Sequence, residues 1–197
     1  MQINLTSITD RQILELERSL LDYEYIQAHC STPNNKDFQD VYYRFYLKAR
    51  YAQIGKKGGA NCTAYFNTLG KTTCKDALGT VLQNLITQGA SSVLEFSIGS
   101  KLLHTKNTTS PIYDSKVAKY LKNDERLDLW WGKALKKGQT KYQQFQHDWG
   151  MIKNWYNNFI KNDQRYTQWI NWFDGKFPQH KNISNVKKID FLIFIFN

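Results

Sequence analysis

Along most of the chain, apolar side chains recur every three or four residues, a spacing that predicts helices almost throughout. Residues 9–28 form the first candidate, with Thr9 or Asp10 as cap and Ile13, Leu14, Leu16, Leu20 and Leu21 as one apolar stripe. Residues 31–37 (STPNNKD) read as a loop, and 37–52 as a second helix crowded with Tyr42, Tyr43, Phe45, Tyr46 and Tyr51. Arg44, Lys48 and Arg50 give that helix a basic face. A glycine turn at 56–61 (KKGGAN) leads to a short helix at 62–69. A longer helix at 76–88 carries Leu78, Val81, Leu82, Leu85 and Ile86.

Gly89-Ala90-Ser91-Ser92 then reads as a turn, 93–105 as a helix, 106–110 as a loop and 111–121 as a helix with its entry. Beyond the Asn123-Asp124-Glu125 cluster the chain is rich in Trp, and at least three helices fit there, at roughly 139–160, 161–175 and 183–196. No internal repeat or low-complexity linker interrupts the pattern. The simplest layout is one all-α domain over 1–197 in two lobes: residues 1–75 with 125–197, and a hairpin-containing lobe at 76–124.

Charge changes this picture. The net charge is +10, yet residues 1–40 carry seven acids against three bases, so residues 41–197 hold 24 bases against 10 acids. Aromatics make up 15% of the chain. A basic, aromatic-rich body suits a polyanion, because Lys and Arg neutralise phosphates and rings stack on bases. A lysine-rich composition with no acidic partner has the same signature.

Cys30, Cys62 and Cys74 are odd in number and lack CxxC spacing, which points to a reducing, cytoplasmic compartment without a disulfide framework or zinc site. His29, His104, His147 and His180 form no HxxxH or HExxH pair, so no metal or other cofactor is expected. No basic run followed by an apolar one marks a secretory signal. The apolar run 189–196 is interrupted by Asp190 and is too short to span a bilayer. No triad of Ser, His and Asp stands at recognisable spacing.

The stretch 96–117 (FSIGSKLLHTKNTTSPIYDSKV) carries the candidate chemistry. From Lys101 to Lys122 there are five lysines and a single acid, Asp114. Asp114 stands where a helix begins, with Val117, Ala118 and Leu121 on one face behind it. An aspartate there caps the helix and gains from its dipole. Cap and working group are both open readings of this residue.

The run PIYDSKVAKYL resembles an element of the helix–hairpin–helix DNA glycosylase superfamily, in which an aspartate caps a helix and faces the target sugar. The resemblance covers about residues 78–122. It implies a two-lobed all-α fold, a duplex DNA partner and base-excision chemistry, with Asp114 stabilising the sugar cation. It also implies an upstream hairpin turn whose backbone amides bind a phosphate and whose lysine, in bifunctional members, attacks the sugar.

Two registers compete for that turn. In the first, Ile98-Gly99-Ser100-Lys101 is the turn and Lys101 the nucleophile. In the second, Gly89-Ala90-Ser91-Ser92 is the turn, and Gly99 and Ser100 are small mid-helix residues that permit close packing. The first of the family's two glycines is absent in both. Under the resemblance, His104, Tyr113 and Lys116 join Gly89, Ser91, Ser92, Gly99 and Ser100 as candidate DNA contacts. His104, on the face of Lys101, reads first as a partly buried polar residue making one hydrogen bond. Lys133, Lys136, Lys137 and Lys141 around Gly138 read as a solvated helix end or a phosphate contact. A non-catalytic DNA-binding module and a protein-interaction module are the alternatives.

Overall fold

The computed structural model describes residues 3–47, 60–91, 95–135 and 137–196. Among them it contains helices and no strand. Among the described residues, nine α-helices follow in order: α1 (Asp10–His29), α2 (Lys36–Tyr42), α3 (Ala60–Lys71), α4 (Leu78–Thr87), α5 (Phe96–Lys106), α6 (Ser115–Asn123), α7 (Lys141–Asn162), α8 (Gln164–Lys176) and α9 (Asn185–Phe196). A π-helical turn, Tyr43–Leu47, continues α2. Lys48, Arg50, Tyr51, Ser92 and Lys136 lie outside the described residues.

The caps explain where the helices start. Thr140 and Gln143 form a reciprocal capping box at α7. Asp163 ends α7 and caps α8 through the Arg165 amide, so one aspartate separates the two helices. On α1 the buried line is Leu16, Leu20, Tyr23 and Ile26, while Leu14 and Leu21 are more than half exposed. The expected stripe was therefore drawn too wide: Leu14 and Leu21 lie off the 16–20–23 face.

The chain forms two compact units, residues 17–108 and residues 1–16 with 109–197. These boundaries differ from the expected lobes, since residues 17–75 belong with 76–108. In the 17–108 unit, α4 packs against both α3 and α5. Phe38, Tyr42, Tyr43, Tyr65 and Phe66 are almost fully buried there and meet largely edge-on, a geometry favoured by ring quadrupoles. The second unit packs α9 against α6 and α8. Trp169 is its largest buried ring, beside Phe159 and Tyr120, while Trp149, Trp155 and Trp172 are half-buried.

An ion network ties that unit together. Arg165 forks onto Glu125 at 2.7 and 3.0 Å and reaches Asp163 at 2.6 Å. Glu125 also accepts from the Tyr120 hydroxyl and the Trp155 indole. Burial opposes ionisation of Glu125, but these donors outweigh it and hold the carboxyl below its ordinary value.

Candidate functional site

Asp114 is the N-cap of α6 in extended backbone, φ −140° and ψ 173°. Its Oδ1 accepts from the amides of Lys116 and Val117 at 3.0 and 3.1 Å. The residue is only 7% exposed. Its Oδ2 takes no hydrogen bond among the described residues and is not sealed from solvent. One oxygen therefore does the capping while the other remains available. The carboxylate sits at the positive end of the α6 dipole.

The carboxylate has company that the sequence reading missed. Asp190 on α9 is 2% exposed, and its Oδ1 accepts a hydrogen bond from the Tyr156 hydroxyl of α7. Its Oδ2 is buried without a partner. Burial pushes the Asp190 carboxyl up to about 7 and the charge of Asp114 adds to the rise, while Lys187 and the Tyr156 bond oppose it. The same negative neighbours, after burial itself, drive Tyr156 well above its ordinary range. Lys116 links the two helices: its Nζ donates to the Phe194 carbonyl at 3.2 Å and lies 4.7 Å from the Phe194 ring centre. The only signal in the sequence was a lone aspartate inside the apolar run of α9.

Tyr113, next to Asp114 in the chain, has other partners. Its hydroxyl donates to Asp148 of α7 at 3.0 Å, its ring meets Phe145 edge-on, and it is 8% exposed. Burial and then the Asp148 charge raise its hydroxyl far above the usual tyrosine range. It is a core donor here, with little face to offer a flipped base.

The stretch Ile98, Gly99, Ser100 and Lys101 lies inside α5. The first register, with a turn at 98–101, is therefore corrected: these residues are helical, and Gly99 and Ser100 are buried. A Cβ on Gly99 would come within 2.6 Å of Leu82 Cδ2, so glycine is what lets α5 approach α4 so closely. The lysine Nζ donates to the Tyr46 carbonyl at 3.2 Å. His104 is fully buried, with Nε2 3.2 Å from the Tyr23 hydroxyl; it contacts the core and offers no surface to DNA.

The turn after α4 is a Schellman cap. Gly89 has φ +72°, its amide donates to Ile86, and the Ala90 amide donates to Leu85. The Ser91 amide also donates to Leu85, at 3.3 Å. The amides of Gly89 and Ser91 are thus spent on the helix end, where the resemblance asked them to meet a phosphate. Ser92 lies outside the described residues.

The remaining basic candidates are surface groups. Lys133 pairs with Asp128 at 2.7 Å, and Lys137 and Lys141 are exposed. Arg44 forks onto Asp22, holding the 17–108 unit. Among the described residues no cluster of His, Cys, Asp and Glu has the makings of a metal centre. No helix there is long and apolar enough to cross a membrane. In comparisons with known proteins, no family model, curated protein or solved structure matches this chain.

Proposed function

We propose that the protein binds duplex DNA and releases a base from it, in the manner of a helix–hairpin–helix glycosylase that cleaves the glycosidic bond and leaves the strand intact. The observation that carries this reading is the division of labour at Asp114. A carboxylate fixed by two amides through one oxygen, with the other unspent, is preorganised to meet positive charge growing on a sugar ring. The basic balance of residues 41–197 supplies the field a polyanion needs. A lyase step through Lys101 is left out, because the residue lies inside α5 and in no turn. Gly89, Ser91 and the buried His104 are likewise left out as phosphate contacts, whereas Lys116, at the same helix start as Asp114, is kept. Action inside the cytoplasm fits the unpaired cysteines.

The test is base release from duplexes carrying deaminated, alkylated or oxidised bases, with binding measured in parallel over a salt series. Asp114→Asn preserves the cap, so folding holds, and release falls at least about 100-fold. Full release by that variant sinks the glycosylase reading. Lys101→Ala leaves release unchanged, and borohydride traps no adduct. Salt-dependent binding without base release by the wild type identifies the non-catalytic module. Absence of binding at low salt removes DNA altogether and leaves the protein-interaction reading.

A further inference from the structure

A second polar cluster lies on the first two turns of α7, and the DNA reading makes no use of it. Asp148 is fully buried. Its Oδ2 accepts from the Tyr113 hydroxyl, and its Oδ1 accepts from the Trp130 amide at 2.7 Å and faces His147 Nδ1 at 3.1 Å. The His147 ring lies flat on Trp130, with centres 3.9 Å apart and planes within 9°. Trp130 is held in turn, since its carbonyl accepts from Gln144, one turn before His147. Three donors onto one buried carboxylate, and a ring clamped between that carboxylate and an indole, fix the imidazole in position and plane.

The fixing has a chemical consequence. A carboxylate accepts only, so Nδ1 must carry the hydrogen, and a neutral ring then has its lone pair on Nε2. Nε2 has no partner among the described residues and is not sealed from solvent; the side chain is 29% exposed. In acid–base sites, a buried aspartate holds the tautomer and orientation of the working imidazole in this way.

We propose that His147 is the proton acceptor of a separate hydrolytic site, taking a proton from water as the water attacks an ester-type substrate, with Asp148 and Trp130 as positioning residues. The water O–H bond breaks and its proton joins Nε2. The new C–O or P–O bond forms, and the leaving group departs with the electrons of the cleaved bond. The Asp148 side chain at Nδ1 faces the positive charge of the ring. This proposal does not depend on the DNA reading.

Three measurements on the full chain test it. Nitrogen NMR of the wild type is expected to place hydrogen on Nδ1 and the bare lone pair on Nε2; the opposite tautomer overturns the proposal. Diethyl pyrocarbonate is expected to acylate His147 at least as fast as the exposed His29, whose Nδ1 faces only a backbone carbonyl. Asp148→Asn is expected to slow acylation of His147 several-fold and leave His29 unchanged; indifference to that change overturns the proposal. With 4-nitrophenyl acetate as probe, His147→Gln is expected to cut protein-catalysed hydrolysis at least tenfold, and equal rates overturn the proposal. The NMR arm needs no variant, so poor folding of Asp148→Asn leaves the proposal exposed to refutation.

Discussion

Both units bury polar side chains, but they bury different kinds. In the 17–108 unit the buried polar residues are neutral and one set of hydroxyls closes on itself, although Ser97 Oγ and Gln27 Nε2 are buried without a partner. Tyr42 meets Tyr65 and Thr105, and Thr105 donates to the Lys101 carbonyl. Burial pushes the Tyr42 hydroxyl up to about 12, so it never ionises near neutrality. The other unit buries three carboxylates, Asp114, Asp148 and Asp190, and each leaves something over. Asp114 keeps an oxygen, Asp190 keeps an oxygen, and Asp148 holds a histidine whose far nitrogen is open. A closed neutral network stabilises and specifies a core. Buried acids with unspent capacity lower stability and are where chemistry collects. Under the two proposals above, residues 17–108 have a scaffold role and the chemistry lies in residues 109–197.

The largest effect that tests this contrast is pH dependence at Asp190. Its folded value, about 7, lies above its ordinary value of 3.8, because burial and Asp114 outweigh Lys187 and Tyr156. The folded state therefore holds a proton that the unfolded chain has lost. Stability is greatest below about pH 4 on this account and falls as pH rises towards 7, by at most about 1.4 kcal/mol per unit. Glu125 and Asp163 act with the opposite sign. Arg165 lowers Asp163, and with Tyr120 and Trp155 it lowers Glu125, so their contribution disappears as pH drops through those depressed values. Urea midpoints are expected to peak in mild acid. Asp190→Asn flattens the decline towards pH 7, and Arg165→Ala removes the acid limb. Parallel curves for wild type and Asp190→Asn would mean that Asp190 is ordinary and the contrast is wrong.

Next in size is Asp148→Ala, which strands the Tyr113 hydroxyl and the Trp130 amide in the core. The expected loss is about 3 kcal/mol, since charge-assisted bonds and unsatisfied buried donors each cost more than a neutral pair. Equilibrium unfolding in urea measures it, and a loss below about 1 kcal/mol would remove Asp148 as the hub of its cluster. Gly99→Ala follows, at roughly 1–2 kcal/mol: overpacking against Leu82 exceeds the helix propensity that alanine adds. Leu82→Ala makes room, so the glycine change costs less in that background, and additive losses would show that the α4–α5 approach is not what requires glycine.

What the sequence revealed and what it hid divide along the same physical line. Helices and caps depend on neighbours three or four residues away, so Asp114 as a cap and the all-α class were legible. Asp114 is a cap because its carboxylate reaches its own N2 and N3 amides. The place of Gly99 was only half legible: it reads as a turn glycine by identity or as a packing glycine within a helix, and the position of Leu82, seventeen residues earlier, decides for packing. The Asp148 cluster joins residues 113, 130 and 147, and adjacent helical residues such as His147 and Asp148 do not ordinarily face each other. Asp190 interrupted an apolar run and was used only to argue against a membrane span. Its partner Tyr156 lies 34 residues upstream, beyond any local pattern.

The smallest effect tests the other side of the contrast, the closed network. Thr105 donates to the Lys101 carbonyl, so its oxygen is left to accept from Tyr42, and Tyr42 in turn accepts from Tyr65. The chain of hydroxyls therefore runs one way, from Tyr65 through Tyr42 and Thr105 to helix backbone, with no donor left over. Removing the middle hydroxyl and removing the first are unequal operations. Tyr42→Phe breaks the relay and leaves the Tyr65 hydroxyl buried without an acceptor, which costs about 1–2 kcal/mol. Tyr65→Phe only takes away the first donor; Tyr42 still donates to Thr105, and the cost is about 0.5–1 kcal/mol. Urea unfolding of the two variants gives the order directly. If Tyr65→Phe costs as much as Tyr42→Phe, the hydroxyls are not a directed chain, and the 17–108 unit is no more closed than the unit that holds the acids.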